Sequence, residues 1–411
     1  MEQLRGNAAV GQSGGPTAAI NATLAGVIRG AMECDGIGKL YGARNGIEGV
    51  LARRFLDLSG MTEENLRLLE NTPAAALGSC RKKLPPDFDG EHRILYEEIF
   101  SVFREYDIRY FFYIGGNDSM DTVAKLSRFA AETGYDMRII GVPKTIDNDL
   151  MGTDHTPGFG SAAKYIATTM QEILRDTAVY TVKAVTIVEI MGRDAGWLTA
   201  AAALPSLYAD VAPDLVYLPE VPFDFDTFYE DVEGAFLRHP NVVVAVSEGV
   251  RTADGRYVGE GTQSGAADAF GHKYLAGTAK ALEYAVRERF GCKVRSIELN
   301  LPQRCASHLA SKTDLEESVK IGRAAVQHAS SGETGRMMVF VRGTGKRYEA
   351  EIDSADIAGI ANAVRKVPRE WISERGNGVT EECLSYIAPL VEGQPELLYE
   401  GGLPKHFSFD L

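Results

Sequence analysis

Short apolar runs alternate with amphipathic stretches along most of the chain, which is the pattern of β-strands that alternate with α-helices. The apolar runs predict strands at residues 7–10, 111–114, 139–142, 184–190, 214–218, 242–247, 294–299 and 337–341. The amphipathic stretches predict helices at residues 18–32, 91–106, 120–133, 158–176, 198–204, 226–238, 268–289, 315–329, 356–364 and 380–391. A repeated order of strand, turn and helix predicts an α/β fold of mainly parallel sheets flanked by helices.

The length of the chain predicts more than one compact unit. It has 411 residues, and single cores rarely grow beyond about 250–300 residues. We find no internal repeat, low-complexity tract or free linker, so we expect two interleaved lobes. The larger lobe is predicted to comprise residues 1–150 with part of the C-terminal region, and the second lobe residues 151–330. Residues 335–411 are expected to pack on the lobes as an extension, and no chemistry is assigned to them.

Charge and cysteine content narrow the classes of function. The formal net charge of −14 argues against a protein that coats nucleic acid or an anionic membrane. It leaves an anionic small substrate open, because local arginines and lysines can oppose the overall charge. The five cysteines are scattered and form no C-x-x-C pair, which predicts a reducing compartment and no structural zinc. With no long apolar segment in the sequence, we expect a cytoplasmic protein without a membrane span.

Two glycine-containing loops are candidates for phosphate binding. The first, residues 11–17, follows the first predicted strand and opens a helix, where free N–H groups favour anions. No Gly-Lys-Ser/Thr follows it, so it is not a Walker A loop. The second, residues 77–83, ends in Arg81-Lys82-Lys83. A structural turn is the alternative interpretation of both loops.

The stretch from residue 115 to residue 149 carries the densest candidate chemistry. Two neighbouring strand ends deliver glycines, Asp118, Lys144, Asp147 and Asp149 to what should be one rim of a parallel sheet, where ligands bind. On an extended segment Asp147 and Asp149 would face the same side, and one of them can act as a base. Asp118 is a hard oxygen ligand suited to Mg²⁺. These parts fit phosphoryl transfer; local hydrogen bonding in Asx-rich turns is the alternative.

Five motifs in this order resemble those of the phosphofructokinase family. They are residues 115–119 (Gly-Gly-Asn-Asp-Ser), 143–149 (Pro-Lys-Thr-Ile-Asp-Asn-Asp), 191–193 (Met-Gly-Arg), 247–249 (Ser-Glu-Gly) and 303–304 (Gln-Arg). The heptapeptide is the most specific of them. The resemblance implies two interleaved Rossmann-like lobes, the phosphofructokinase fold.

The resemblance also implies roles for residues that bind the phosphoryl acceptor. Asp147 matches the base that acts on the 1-hydroxyl of fructose 6-phosphate, with Thr145 and Asp149 beside it. The other matched positions contact the sugar, its 6-phosphate or the transferred group, and they are Met191, Gly192, Arg193, Glu248, Arg295 and Arg304. In relatives the arginine at position 295 reaches across from a neighbouring subunit, which implies a homodimer or a higher homo-oligomer.

On the donor side, two positions resemble the pyrophosphate-dependent branch of the family. Gly15 and Arg81 match donor contacts, and Ser119, the last residue of the first motif, is a predicted substrate-binding residue. ATP-using members have glycine where this chain has Asp118 and Lys144. A carboxylate at position 118 would repel a nucleotide α-phosphate, whereas Lys144 can reach a terminal phosphate. Relatives of this branch often carry Asp where this chain has Asn117, so the Mg²⁺ site would depend on Asp118 and phosphate oxygens.

These matches imply Mg²⁺-dependent, reversible phosphoryl transfer from pyrophosphate to fructose 6-phosphate, giving fructose 1,6-bisphosphate and phosphate. Two alternatives stay open at this point. One is an ATP-dependent phosphofructokinase that tolerates Asp118. The other is a catalytically silent homologue that binds sugar phosphate as a regulatory subunit, although such a binder would not need Asp147, Asp149 and Arg193.

Overall fold

A seven-stranded sheet forms the centre of the first lobe. The computed structural model describes residues 4–262, 277–360 and 363–409. The strand order in this sheet is β11-β10-β5-β4-β1-β2-β3, and β1, β2, β4, β5 and β10 run parallel while β3 and β11 are antiparallel edges. The strands are β1 Gly6–Gln12, β2 Ile37–Ala43, β3 Phe55–Asp57, β4 Ile108–Gly115, β5 Arg138–Pro143, β10 Arg336–Arg342 and β11 Ala350–Asp356.

A smaller, fully parallel sheet forms the centre of the second lobe. Its order is β7-β8-β6-β9, with β6 Ala184–Ile190, β7 Leu215–Tyr217, β8 Asn241–Ser247 and β9 Lys293–Glu298. A short antiparallel pair, β12 Tyr399–Glu400 and β13 Leu403–Pro404, lies near the C-terminus. Strands β6, β7 and β8 are mostly apolar and buried on both faces, as expected for a parallel sheet covered by helices, whereas the edge strand β9 is largely polar and partly exposed.

Helices cover both sheets. They are α1 Ile20–Met32, α2 Gly46–Leu51, α3 Glu63–Glu70, α4 Gly90–Glu105, α5 Asn117–Thr133, α6 Phe159–Thr177, α7 Trp197–Ala200, α8 Pro205–Tyr208, α9 Phe225–Phe236, α10 Thr278–Phe290, α11 Pro302–Cys305, α12 Lys312–Ser330 and α13 Glu381–Ile387. Within the described ranges, no helix is both long and apolar enough to cross a membrane.

Helices α1 and α12 cross so closely that glycine is needed at the contact. A Cβ atom on Gly26 would lie 2.1 Å from the carbonyl oxygen of Val319, and one on Gly322 would lie 2.2 Å from that of Thr23. Helix α12 follows the second sheet in the chain but packs on the first helix, so the chain returns to the first lobe before it forms β10 and β11. The α/β fold is therefore as predicted, with the chain crossing between the two sheets.

Most of the predicted helices and strands are present. The differences are several strands that were not predicted and a few helices whose bounds or type differ. Strands β2, β3, β11, β12 and β13 were not predicted. The helix predicted at residues 356–364 is wrong, because β11 extends to Asp356 and only a 3-10 turn, Ile357–Gly359, follows. The helix predicted at residues 198–204 is α7 followed by a 3-10 turn, Ala201–Ala203. Of the helix predicted at residues 268–289, residues 268–276 lie outside the described residues.

Candidate active site

The carboxyl ends of the two sheets face each other and bring the candidate residues together. In the first sheet Gln12 is paired with Ile114, and Gly115 with Pro143, so the loops after β1, β4 and β5 leave one rim. In the second sheet Ile190 is paired with Ser247, and the loops after β6 and β8 leave a second rim. Ligands of open α/β sheets bind at such rims.

A cavity of about 460 Å³ lies between the two rims. Twelve of the fourteen residues predicted for the site line it, and they are Gly15, Arg81, Asp118, Ser119, Lys144, Thr145, Asp147, Asp149, Met191, Arg193, Glu248 and Arg304. Gly192 lies directly behind this lining, where its N–H donates to Glu248 Oε1 at 3.3 Å. Arg295 is not in the cavity; it lines a small groove with Tyr180 and Val182 at another edge of the second lobe.

The segment after β5 presents two carboxylates to the cavity through a tight turn. Asp147 and Asp149 both line the cavity, while Asn148 between them is fully buried on the opposite side. The segment is not extended, because Asn148 has a left-handed φ of 55°, a conformation that asparagine tolerates better than most residues. The Thr145 hydroxyl accepts from the Asp147 N–H at 3.1 Å and donates to its carboxylate at 3.5 Å.

Burial shifts the pKa values of four charged groups in the cavity toward neutrality. Burial raises the pKa of Asp147, and burial together with the Asp147 charge raises the pKa of Asp149 to about 7. The same two causes raise the pKa of Glu248 to about 8. Burial lowers the pKa of Lys144 to about 8, and the carboxylate of Asp147 limits that fall. Groups that titrate near neutral pH in a cleft are typical of catalytic sites.

Two glycines let cations approach the loop after β1. A Cβ atom on Gly14, whose φ is +78°, would lie 3.1 Å from Lys144 Nζ, and one on Gly15 would lie 3.3 Å from Arg304 Nη1. Lys144 Nζ donates to the carbonyl of Gly15 at 2.7 Å, and its side chain is only 3% exposed. With Arg81 beside them, these cations form a positively charged surface of the kind that attracts phosphate oxygens.

Helix α5 adds a second element that favours anions at the same end of the cavity. Asn117 and Asp118 form its first turn after Gly116, which provides no side-chain cap, so N–H groups at this end lack helical partners. Asp118 Oδ1 forms an ion pair with Lys83 Nζ at 3.2 Å. Both residues line the cavity.

At the other end, hydrogen bonds fix the loop after β6. The hydroxyl of Ser247 donates to the carbonyl of Gly192, and the N–H of Met191 donates to Gln303 Oε1 at 3.1 Å. A Cβ atom on Gly192, which has a φ of +133°, would lie 2.6 Å from the carbonyl oxygen of Ala195. This turn therefore requires glycine and directs Met191 and Arg193 into the cavity.

The oxygen atoms near Asp118 are of the kind that bind a divalent cation together with further ligands from a substrate or water. Among the described residues, no three His, Cys, Asp or Glu side chains are grouped to hold a metal ion by themselves. Asn117 Oδ1 is buried beside Asp118 and has no hydrogen-bond partner within the described ranges. Mg²⁺ is commonly held by one or two carboxylates, water and substrate phosphates, which matches such a sparse set of oxygen ligands.

Ten residues that line the cavity are absent from the predicted site. Four of them are Thr17, Lys83, Asp194 and Val364, and the other six are Gly14, Pro16, Gly116, Asn117, Ile146 and Ala195. Lys83 belongs to the basic loop at residues 77–83, and Asp194 follows the Met-Gly-Arg motif, so both had a signal. Asp194 pairs with Arg251 Nη2 at 2.6 Å. Val364 had none, because it reaches the cavity from a distant part of the chain.

The fold and the cavity together define an α/β enzyme of the phosphoryl-transfer class. A phosphofructokinase family model matches residues 7–329. The chain is 43% identical over 402 residues to the pyrophosphate--fructose 6-phosphate 1-phosphotransferase of Halomonas elongata, covering 97% of this chain and 95% of that protein. It is 42% identical over 403 residues to the protein of the same name from Methylococcus capsulatus, with the same two coverages. The crystal structure of the pyrophosphate-dependent phosphofructokinase from Nitrosospira multiformis superimposes with a TM-score of 0.88 at 38% identity, over 97% of this chain and 95% of that one.

The chain belongs to the phosphofructokinase family, and its fold is the α/β fold of that family. The family resemblance inferred from the five sequence motifs is thereby confirmed.

Proposed function

We propose that the protein transfers a phosphoryl group reversibly between pyrophosphate and the 1-hydroxyl of fructose 6-phosphate. The observation that carries the choice of donor is the presence of both Lys144 and Asp118 at one end of the cavity. Lys144 occupies the floor beneath Gly14 and Gly15, where it can contact a terminal phosphate. Asp118 occupies the adjacent wall, where its charge disfavours the additional phosphate of a nucleotide.

Asp147 is the proposed base. It lines the cavity between the cations of the donor end and Arg193, so a sugar hydroxyl bound between them can give its proton to the carboxylate. The raised pKa of Asp147, caused by burial, makes its ionised form a stronger base than an exposed aspartate. Asp149 and Thr145 tune and orient it, and Arg193 stabilises negative charge on the transferred group.

Asp118, with Asn117 Oδ1 beside it, would hold Mg²⁺ against the phosphate oxygens of the donor. When bound, the ion would neutralise charge on those oxygens. Lys83 pairs with Asp118 and would release the carboxylate when the cation binds. The proposed roles of the lobes follow: the first carries the donor and the base, and the second carries Arg193 and Glu248.

Arg304 and Glu248 are proposed to bind the sugar phosphate, through its 6-phosphate and its hydroxyls respectively. Arg295 is exposed and lies outside the cavity, so we propose that it completes the 6-phosphate site of a second subunit in a homodimer.

A donor comparison tests the proposed reaction. Purified protein is assayed with fructose 6-phosphate, Mg²⁺ and either pyrophosphate or ATP, and we expect kcat/KM to be far higher with pyrophosphate. A preference for ATP would refute the donor assignment. No turnover with either donor, together with binding of the sugar phosphate, would establish the silent regulatory homologue instead.

A paired substitution tests the residues behind the donor choice. Asp118→Gly combined with Lys144→Gly should raise the ratio of ATP to pyrophosphate activity, because it removes both the repulsion and the terminal-phosphate contact. The two single variants are the matched controls. An unchanged ratio in the double variant would contradict the steric and charge argument.

Replacement of the base separates catalysis from binding. Asp147→Asn keeps the size of the side chain but removes its basicity, so kcat should fall by about 10²-fold to 10⁴-fold. Affinity for fructose 6-phosphate, measured by calorimetry, should stay within about threefold of wild type. A variant with near-normal kcat would exclude Asp147 as the base.

A further inference from the structure

The turn that carries Asp147 and Asp149 is held by the C-terminal part of the chain, to which the sequence assigned no chemistry. The contacts come from residues 364–367 and Tyr386, which we call the C-terminal clasp. Leu150 forms an antiparallel bridge with Val364, and the N–H of Arg365 donates to the carbonyl of Asp149 at 2.7 Å. The clasp thus contacts the segment on the C-terminal side of both carboxylates.

The Tyr386 hydroxyl forms the central contact of the clasp. It accepts from Asn148 Nδ2 at 3.0 Å and from Arg365 Nη2 at 3.0 Å, and it donates to the carbonyl of Asp154 at 2.6 Å. One donor and two lone pairs are all that a tyrosine hydroxyl offers, so its hydrogen-bonding capacity is fully used. Tyr386 therefore joins both ends of the segment from Asn148 to Asp154.

Asn148 links the Tyr386 hydroxyl to Asp147, the proposed base. Its side chain is buried and points away from the cavity, whereas the residues on either side point into it. Because its backbone is left-handed, the directions of Asp147 and Asp149 depend on the torsion of this one residue. A hydrogen bond that fixes the Asn148 side chain thus fixes the two carboxylates as well.

The same clasp contacts the loop that carries Arg193. Trp197 Nε1 donates to the carbonyl of Arg365 at 3.1 Å, and the Arg365 guanidinium lies 4.4 Å from the centre of the Trp197 ring. One oxygen of Glu220 accepts from the N–H of Gly196 at 2.8 Å and from that of Val367 at 2.9 Å. The loops from the two lobes are therefore tied to one segment.

We infer that Tyr386 is a positioning residue, which acts through Asn148 to hold Asp147 in the geometry needed for proton transfer. The inference rests on the proposed function of Asp147. It extends the active site to a segment of which Val364 lines the cavity and the remaining residues do not.

Tyr386→Phe tests the inference, because it removes only the hydroxyl. We expect kcat to fall by about 10-fold to 100-fold, since a displacement of about 1 Å costs up to about 10²-fold in rate. The KM values for both substrates should stay within about threefold, because Lys144, Arg304 and Glu248 are not touched by the change. Hydrogen exchange of the peptide spanning residues 144–156 should become faster.

Tyr217→Phe is the matched control for the loss of a buried tyrosine hydroxyl. Tyr217 is 8% exposed and Tyr386 is 7% exposed, and the Tyr217 hydroxyl donates to Asp231 at 2.7 Å. The control should keep wild-type kcat and leave exchange in residues 144–156 unchanged. A kcat near wild type in Tyr386→Phe, or an effect confined to KM, would overturn the inference.

A double-variant cycle tests the route through Asn148. Asn148→Gly removes the amide but permits the left-handed φ. If both residues act by the same route, the double variant with Tyr386→Phe should be about as active as the less active of the two single variants. Additive losses would overturn the route. Failure of the proposed function would appear differently, as a wild type without turnover, and hydrogen exchange would still report whether Tyr386 holds the turn.

Discussion

At Lys144, burial and the charges of neighbouring carboxylates act on the pKa in opposite directions. Its ammonium group is nearly inaccessible to solvent, and burial lowers its pKa to about 8. Below that pH the group is charged and can bind a terminal phosphate; above it, the substrate-free enzyme loses this charge. The proposed donor site should therefore weaken as the pH rises through about 8.

We expect kcat/KM for pyrophosphate to decline above about pH 8 in wild type, and the decline to move to higher pH in Lys144→Arg, because guanidinium stays charged. Pyrophosphate itself titrates equally in both assays, so dividing the pH profile of wild type by that of the variant removes its contribution. A decline at the same pH in both proteins would assign it to another group, such as Glu248, whose pKa is also about 8.

At the residue scale, the sequence predicted those cavity-lining residues that belong to recognisable motifs. Asp147, Arg193 and Glu248 stand in short motifs, and all three line the cavity. Tyr386 and Val364 stand in no motif. Their contribution comes from hydrogen bonds and contacts with residues more than 200 positions away in the chain, which local spacing cannot reveal.

At the scale of elements, two of the missed strands, β11 and β3, share one physical cause. Strand β11 has the sequence Ala-Glu-Ile-Asp-Ser-Ala-Asp and is mostly exposed or half-buried, because it forms an edge of the sheet. It pairs along its whole length with β10, and this pairing decides its conformation more than its own residues do. Strand β3 is another edge and has only three residues. Buried strands such as β6 needed no such partner to be recognised.

The junction of β4 and α5 offers a test of element geometry, because its two glycines differ. A Cβ atom on Gly115 would lie 2.0 Å from Ser119 Oγ, whereas one on Gly116 would come no closer than 3.5 Å, to the Lys144 carbonyl oxygen. Gly115→Ala should therefore displace the first turn of α5 and destabilise the protein by about 1–3 kcal/mol.

Gly116→Ala is the matched control and should leave the free energy of unfolding within about 1 kcal/mol of wild type. Urea unfolding monitored by circular dichroism measures both variants. If the two variants have equal free energies of unfolding, the first turn of α5 adjusts to the added methyl group at little cost. That result would contradict the expected steric conflict with Ser119.

At the scale of the whole molecule, the groove around Arg295 indicates how subunits would meet. Val179, Tyr180 and Val182 are 71%, 48% and 60% exposed. Tyr180 and Val182 line a groove with Lys293 and Arg295, at the edge formed by β9. Apolar side chains beside an edge strand favour association with a second copy, which would carry Arg295 toward another subunit.

Val182→Asp should convert a dimer to a monomer in sedimentation velocity, because it places a charge in the contact. If Arg295 serves the neighbouring active site, the monomer should also bind fructose 6-phosphate more weakly, with KM raised about tenfold or more. Ile94→Asp is the control, since Ile94 is 64% exposed on α4 of the other lobe, and it should change neither property.

Arg295→Ala should raise the KM for fructose 6-phosphate in the same way, while the protein remains a dimer. If the Val182→Asp variant is monomeric but has a normal KM, Arg295 does not serve a neighbouring active site. If the variant remains dimeric, the interface lies elsewhere on the surface.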